Sequence, residues 1–256
     1  MNLKVSLVQT TLFWEAPQKN LTHFSKILEA ITPTHLIVLP EMFTTGFSMN
    51  PSALANKHQE STIAWLLEQA KRTQAAITGS IMFEKAGKFY NRLLFVTPQG
   101  EVTHYDKRHR FTLAGEDKVY EAGKTKVVFN YLGWKICPQI CYDLRFPVWT
   151  RNVEDYDLLL YVANWPEKRL AAWDVLLQAR AIENMCFTVG VNRIGIDGNA
   201  YPYKGHSAVY DALGMPLIKQ PWEEEGVKQI TLNKSALQEA RQKLRFLEDR
   251  DAFTLN

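Results

Sequence analysis

A cysteine stands at an abrupt change of character in the middle of the chain. Residues 131–147 read Y-L-G-W-K-I-C-P-Q-I-C-Y-D-L-R-F-P and pass from an apolar, strand-like segment into a helical turn that begins after Cys141. A thiol at such a junction lies near backbone N–H groups and the positive end of a helix dipole, which favours the thiolate and can hold an oxyanion. Cys141 is therefore a candidate nucleophile. The alternative is a small buried hydrophobe, because free cysteine is among the most buried residue types.

A cysteine nucleophile needs a base and a donor for the developing oxyanion. Glu41 follows the apolar run at residues 35–39 and Pro40, so it stands just beyond a buried strand, where α/β proteins usually carry their chemistry. A buried carboxylate in this position is a candidate general base. Lys107 begins a short basic run and is a candidate for favouring the thiolate and stabilising a tetrahedral intermediate.

Other familiar site types do not fit the sequence. The segment Gly195-Ile196-Asp197-Gly198 lacks the third glycine of a phosphate-binding loop. Cys137 and Cys141 are too far apart for a Cys-x-x-Cys pair, which argues against dithiol exchange. No histidine spacing corresponds to H-E-x-x-H or a comparable metal-binding pattern. The sequence therefore predicts no metal site.

Composition places the protein among ordinary globular proteins. Of 256 residues, 46% are apolar and 22% are charged, which excludes disordered and collagen-like classes. The formal charge of +3 is small and spread along the chain, so no nucleic-acid partner is expected. Three cysteines form no disulfide framework, and the apolar run at residues 3–8 is too short for a signal peptide or a membrane span. We expect a cytoplasmic protein with no membrane partner.

The periodicity of apolar residues predicts alternating strands and helices. Strands are predicted at residues 3–9, 35–39, 75–83, 89–96, 102–105, 158–163, 187–192, 207–210 and 227–232. Helices are predicted from Pro17, at 59–72, at 148–153, from Leu170 to Ile182, and from an N-cap at Ser235 to about Phe246. Residues 107–123 are predicted to be a long functional loop.

The order of these elements predicts an α/β fold with two mixed sheets covered by helices. Three successive strands between residues 75 and 105 are joined by tight turns, which implies antiparallel pairing and disfavours a purely parallel sheet. No linker, repeat or shift in composition marks a boundary. We therefore expect residues 1–256 to form a single domain.

The ordered set of motifs resembles the nitrilase (carbon–nitrogen hydrolase) superfamily. Glu41 in L-P-E-M-F, Lys107 in Y-D-K-R-H and Cys141 in I-C-Y-D-L-R-F-P are similar to the Glu–Lys–Cys triad of that family in order and local context. Similarity extends to A-N-W-P at residues 163–166 and to Q-A-R-A-I-E-N at residues 178–184. The resemblance implies a four-layer αββα sandwich, no metal or organic cofactor, and a homodimer to which the C-terminal helix and tail could contribute contacts.

Within the superfamily, short chains with these motifs most resemble the ω-amidase branch. Those enzymes hydrolyse the terminal amide of α-keto acid amides such as 2-oxoglutaramate and 2-oxosuccinamate and release ammonia. The resemblance implies that the substrate is a small-molecule amide and that Cys141 forms a thioester. Glu41 would be the base, while Lys107 and the backbone N–H of Tyr142 would hold the oxyanion. Other branches, including N-carbamoyl hydrolases, aliphatic amidases and nitrilases, remain open, and a binding or redox-thiol protein is the less favoured class.

Three further roles are open at this point. The family has a second glutamate after the lysine, for which Glu116 is the better match and Glu121 the competing choice. Arg145 is the basic residue nearest to the nucleophile and is either a ligand for the substrate carboxylate or a structural ion-pair partner. Trp165 is either a wall of the substrate pocket or a core aromatic residue.

Overall fold

The computed structural model describes residues 2–255, in which strands and helices alternate along the chain. The strands are β1 (Asn2–Gln9), β2 (Leu36–Val38), β3 (Ala76–Lys85), β4 (Lys88–Val96), β5 (Val102–Asp106), β6 (Phe129–Tyr131), β7 (Trp134–Ile140), β8 (Leu158–Val162), β9 (Phe187–Val191), β10 (Ile194–Ile196), β11 (Pro202–Lys204), β12 (Ala208–Tyr210) and β13 (Gly226–Asn233). The helices are α1 (Pro17–Glu29), α2 (Pro51–Thr73), α3 (Pro147–Thr150), α4 (Leu170–Asn184) and α5 (Lys234–Leu244). Short 3₁₀ helices lie at Thr112–Ala114, Glu116–Lys118, Cys141–Arg145 and Glu167–Arg169.

Two mixed sheets form the centre of the molecule. Among residues 2–255, the larger sheet has the strand order β13-β1-β2-β3-β4-β5, and the smaller has the order β12-β9-β8-β7-β6. The pairs β1–β2 and β2–β3 are parallel, whereas β3–β4 and β4–β5 are antiparallel. In the smaller sheet, β7, β8 and β9 are parallel and the two edge strands pair with them in antiparallel fashion. The predicted antiparallel hairpins between residues 75 and 105 are confirmed.

The apolar clusters define four layers. One cluster fills the space between the sheets and includes Val5, Ile140 and Leu160. A second lies between the larger sheet and helices α1 and α2, and a third lies between the smaller sheet and α4. Strand β8 is buried on both faces, which explains its continuous apolar sequence. The four-layer αββα sandwich is thus confirmed.

Several predicted boundaries were wrong. Helix α2 starts at Pro51 rather than at residue 59, because residues 51–58 contain one large apolar side chain, Leu54, which by itself gives no apolar periodicity. The N-cap of α5 is Asn233 rather than Ser235, and its side chain accepts a hydrogen bond from the Ala236 N–H at 3.2 Å. Helix α3 is shorter than the predicted segment 148–153. The hairpin of β10 and β11 was not predicted, since its strands are only three residues long.

None of the helices within residues 2–255 is both long and apolar enough to cross a membrane.

Candidate active site

The sequence-predicted side chains come together where strands of the two facing sheets end. Glu41 lies three residues beyond β2, and Lys107 directly follows β5 in the same sheet. Cys141 directly follows β7 in the other sheet, and Asn164 lies just beyond the neighbouring strand β8. Because the sheets pack face to face, the ends of strands that are far apart in sequence meet at one position.

A lysine and two glutamates form a buried charged cluster. The Lys107 Nζ lies 2.9 Å from Oε1 of Glu41 and 3.0 Å from both carboxylate oxygens of Glu116. The three side chains are at most 1% exposed. Two carboxylates therefore share one ammonium group, which leaves a net negative charge beside the thiol when both are ionised.

The electrostatics of the cluster follow from burial and close charges. Burial alone lowers the pKa of Lys107, but the carboxylates of Glu116 and Glu41 outweigh it and raise that pKa above its ordinary value. Lys107 is thus held as a cation. Burial raises the pKa of Glu116, partly offset by Lys107, and the nearby Glu41 charge raises it further. The charged form of Glu116 is therefore disfavoured relative to that of a solvent-exposed glutamate.

The loop after β5 places Glu116 and Glu121 differently. Glu116 is buried, and its Oε2 also accepts a hydrogen bond from the Phe111 N–H at 2.5 Å. Glu121 is exposed and pairs with Lys88 at 3.3 Å on the surface. The structure therefore brings Glu116, and not Glu121, to the lysine.

Cys141 begins a short 3₁₀ helix in a left-handed backbone conformation. Its φ is +45°, which is uncommon for a residue other than glycine and aims the side chain away from the line of the strand. Its Sγ lies 3.9 Å from the backbone carbonyl oxygen of Asn164. The turn predicted after Cys141 is present.

The prediction that the surroundings of Cys141 favour its thiolate was wrong for the protein without substrate. Burial raises the pKa of Cys141 well above its ordinary value, and the charge of Glu41 and a hydrogen bond with that side chain raise it further. Lys107 lowers the pKa but does not compensate for these effects. The resting group is a neutral thiol, so attack requires that its proton be removed as the new bond forms.

Asp143 connects the turn that begins at Cys141 to the loop that carries Lys107 through hydrogen bonds. Its Oδ2 accepts hydrogen bonds from the Ile140 N–H at 3.0 Å and the Tyr105 hydroxyl at 2.8 Å. Its Oδ1 lies 2.9 Å from the backbone nitrogen of His109 and 2.8 Å from the Nδ1 of that side chain. The His109 ring also stacks on Phe146 with centroids 3.8 Å apart. These contacts fix the relative positions of the thiol and the lysine.

Two asparagines that sequence reasoning missed complete the surroundings of Glu41. Asn91 on β4 is 1% exposed, and its Nδ2 lies 2.8 Å from Oε1 of Glu41 and 3.3 Å from Oε1 of Glu116. The backbone N–H of Asn164 donates to Oε2 of Glu41 at 2.8 Å, and its Nδ2 donates to the Glu41 carbonyl at 2.6 Å. The A-N-W-P motif contained the second residue, but nothing distinguished Asn91 from other polar strand residues.

A cavity of about 590 Å³ opens above Cys141 and Lys107. Tyr142, Arg145 and Trp165 all line it. Trp165 is 3% exposed and its indole N–H donates to the Arg169 carbonyl at 2.8 Å, so it forms a fixed wall. The cavity is large enough for a small linear amide.

Three basic side chains surround this cavity without a carboxylate partner within residues 2–255. The Arg145 guanidinium lies 5.0 Å from the Trp165 ring centroid, and that of Arg169 lies 4.9 Å from the Phe111 centroid. The third, Lys168, lies over an aromatic ring at 4.7 Å. Arginine held on an aromatic face keeps its N–H donors available. The entrance is therefore suited to an anionic group on the substrate.

The described residues, 2–255, contain no group of three His, Cys, Asp or Glu side chains arranged to hold a metal ion.

Comparisons with known proteins agree with this geometry. A family model described as carbon-nitrogen hydrolase matches residues 4–242. The omega-amidase YafV of Yersinia enterocolitica is 46% identical over 99% of this chain and 98% of its own. The 2-oxoglutaramate amidase of Bacillus subtilis (strain 168) is 31% identical over 97% of this chain and 98% of its own. A CN-hydrolase superfamily protein from Xanthomonas campestris, crystallised with an arsenic adduct in its active site, is 44% identical with a TM-score of 0.97 and full coverage of both chains, 100% each.

Proposed function

Because this chain belongs to the carbon–nitrogen hydrolase family, we propose that it is an ω-amidase acting on α-keto acid amides such as 2-oxoglutaramate and 2-oxosuccinamate. The observation that carries the proposal is the Cys141 thiol beside the buried pair of Glu41 and Lys107 at the base of a cavity. The relatives named omega-amidase and 2-oxoglutaramate amidase support the choice of substrate class. The products would be the keto acid and ammonia.

In the first half of the reaction, Glu41 accepts the thiol proton while Sγ of Cys141 attacks the amide carbon. Negative charge then develops on the former carbonyl oxygen, near the Lys107 ammonium and the Tyr142 backbone N–H. Glu41 delivers its proton to the departing nitrogen, so ammonia leaves and a thioester remains on Cys141. The raised pKa of Cys141 explains why a base must act in the same step.

In the second half, water attacks the thioester carbon. Glu41 is again the base. Glu116 helps to hold the water, and it also holds Lys107, whose Nζ lies 3.0 Å from its carboxylate. The collapse of this intermediate breaks the carbon–sulfur bond and returns the proton to the thiolate. Each proton taken by Glu41 is given back, so the cycle is complete without a cofactor.

The substrate carboxylate is assigned to the basic entrance of the cavity. We assign the principal contact to Arg145 and a supporting role to Arg169, because both guanidinium groups line the cavity and neither forms an ion pair within residues 2–255. Trp165 and Tyr142 would form the walls. Replacing Arg145 with Gln should raise KM for a keto acid amide by roughly tenfold or more, since a charge-assisted contact is lost.

The direct test is ammonia release by the purified protein. 2-Oxoglutaramate should be hydrolysed rapidly, glutamine and N-carbamoyl-alanine slowly or not at all, and Cys141→Ala should be inactive while it remains folded. Rapid hydrolysis of an N-carbamoyl amino acid or a nitrile instead would move the protein to another branch of the family. Activity retained in Cys141→Ala would refute the thiol mechanism itself.

The same proposal includes a homodimer formed by one domain that spans residues 1–256. The outer face of α4 and the adjacent turn leave four large apolar side chains exposed: Val175, Ile182, Leu213 and Met215. That turn is fixed on α4, where the Gln178 side chain donates to the Gly214 carbonyl at 2.9 Å. Helix α5 buries Leu237 within its own chain, but Phe246, Phe253 and Leu255 beyond it are exposed and available for dimer contacts.

Light scattering tests this assembly, and replacing Val175 and Leu213 with charged residues should give a monomer.

A cytoplasmic location is also proposed, supported by three free cysteines in the described residues, which suit a reducing compartment.

A further inference from the structure

The two oxygens of the Glu41 carboxylate have different surroundings. Oε1 receives two donors, Lys107 Nζ at 2.9 Å and Asn91 Nδ2 at 2.8 Å. Oε2 receives one, the backbone N–H of Asn164 at 2.8 Å. A carboxylate oxygen has about two acceptor sites. Among the contacts of residues 2–255, Oε1 therefore has no acceptor site left, and the second lone pair of Oε2 is the one open to the Cys141 thiol.

From this asymmetry we propose that Asn91 is a positioning residue which, together with Asn164, makes Oε2 of Glu41 the oxygen that takes the proton from Cys141. Asn91 blocks the second acceptor site of Oε1 and prevents the carboxylate from rotating to exchange its oxygens. The Asn164 backbone N–H holds Oε2, and the Asn164 side chain fixes the Glu41 backbone by donating to its carbonyl oxygen. The inference rests on the proposed function, in which Glu41 is the general base.

Asn91 is suited to this role because it contacts all three charged residues of the cluster. Its Nδ2 also reaches Glu116, and its backbone carbonyl accepts the Lys107 N–H at 3.0 Å. Its own Oδ1 is buried and has no hydrogen-bond partner among residues 2–255. A buried orphan acceptor is unfavourable for folding. The carboxamide is thus kept in place at a cost to stability, which fits a residue retained for its donor.

Asn91 does not line the cavity. A role in binding substrate would change KM, whereas a role in aligning the base would change kcat. The assignment therefore predicts a separation of the two constants.

The test compares Asn91→Leu with wild-type protein. Leucine has a similar shape and removes both the donor and the orphan acceptor, so the fold should be retained. We expect kcat for 2-oxoglutaramate to fall roughly 10- to 100-fold with KM within about twofold, since a hydrogen bond to a charged group is lost. Asn91→Ala, which cannot overpack the site, should show the same separation if the leucine variant folds poorly.

Thr78→Val is the matched control. Thr78 is buried on β3 in the same sheet, and its hydroxyl donates to the Leu94 carbonyl at 2.8 Å without touching the carboxylates. Its replacement should alter thermal stability but leave kcat within about twofold. An equal loss of kcat in this control would show that Asn91 acts only through general sheet stability.

A second readout does not depend on the substrate. Alkylation of Cys141 by iodoacetamide also requires loss of the thiol proton, so its rate should fall in Asn91→Leu by roughly the same factor as kcat. If the wild type hydrolyses no ω-amide, the proposed function fails but this comparison still decides the role of Asn91. Unchanged alkylation and unchanged kcat in both Asn91 variants would overturn the assignment.

Discussion

Cys137 lies on β7 and Cys141 directly follows that strand, yet the surroundings of the two sulfurs differ sharply. Cys137 is fully buried in the apolar layer between the smaller sheet and α4. Burial raises its pKa to about 12, and the Gln139 amide donates to its sulfur, with Nε2 at 3.4 Å. Cys141 also has a raised pKa, but it faces Glu41, Lys107 and the cavity.

The comparison shows that stabilisation of a thiolate does not distinguish Cys141, the proposed nucleophile, from Cys137. Burial disfavours the charged form at both sulfurs. The difference is that the Cys141 proton has an acceptor within reach and its attack has space for a substrate. In the proposed mechanism, the reactivity of Cys141 therefore comes from Glu41 and the cavity.

Alanine at the two positions should separate these environments most strongly. Cys141→Ala should lower kcat for 2-oxoglutaramate on the order of 10⁴-fold or more, because the bond-forming atom is lost. Cys137→Ala should keep kcat within about threefold and lose about 1 kcal/mol of stability through a small cavity. Ammonia release and urea unfolding measure the two effects. Similar kinetic losses in both variants would contradict the distinction.

Removing the base should make the reactivity of Cys141 resemble that of Cys137. Glu41→Gln keeps the shape of the side chain but cannot accept the thiol proton, so kcat should fall roughly 10²- to 10⁴-fold. Glu121→Gln is the control, because that glutamate is exposed and pairs with Lys88, so its replacement should change kcat by less than about twofold. Full activity in Glu41→Gln would mean that another group removes the proton.

Selective alkylation sharpens the comparison without any substrate. In the folded protein, iodoacetamide should modify Cys141 at least about 100-fold faster than Cys137, because only the former has a base and an open approach. Peptide mass spectrometry after timed quenching gives the two rates. In urea both sulfurs should react at similar rates, and a similar ratio in the folded state would contradict the account.

The free energy of unfolding at alkaline pH should depend on the buried thiol of Cys137. The pKa of Cys137 rises from 9.0 to about 12 on folding, so the unfolded chain releases this proton first as the pH increases. Its contribution to the free energy of unfolding is complete below pH 9 and declines between pH 9 and about 12, by roughly 1 kcal/mol per pH unit. Urea unfolding across this range should show a shallower decline for Cys137→Ala. An identical slope would indicate that the folded protein does not hold the thiol neutral.

The layered fold could be predicted from the sequence because the patterns that indicate it lie within short segments of the chain. Continuous apolar runs such as β8 are the mark of strands buried on both faces, and tight turns between β3, β4 and β5 required antiparallel pairing. The wrong boundaries occur where local signals are weak. The start of α2 has one large apolar side chain and no periodicity, and Ser235, two residues after Asn233, is an equally suitable capping residue type for α5.

The detailed surroundings of Glu41 could not be predicted in the same way. Its contacts with Asn91 and Asn164 join residues 50 and 123 positions apart. The first depends on the strand order within the larger sheet, and the second on how the two sheets face each other. The choice between Glu116 and Glu121 depended on the path of one irregular loop. The strand-to-helix junction correctly located the turn at Cys141, but the effect of burial on the pKa of that thiol required the packed structure.

Trapping the covalent intermediate tests the central claim most directly. Wild-type protein mixed with 2-oxoglutaramate is quenched in acid during turnover, digested, and analysed by mass spectrometry. The account predicts an acyl group, attached as a thioester, on the peptide that contains Cys141, and none on Cys137 or Cys186. Rapid turnover in which no thioester accumulates and hydroxylamine traps no acyl product, or an acyl group on any other residue, would contradict it.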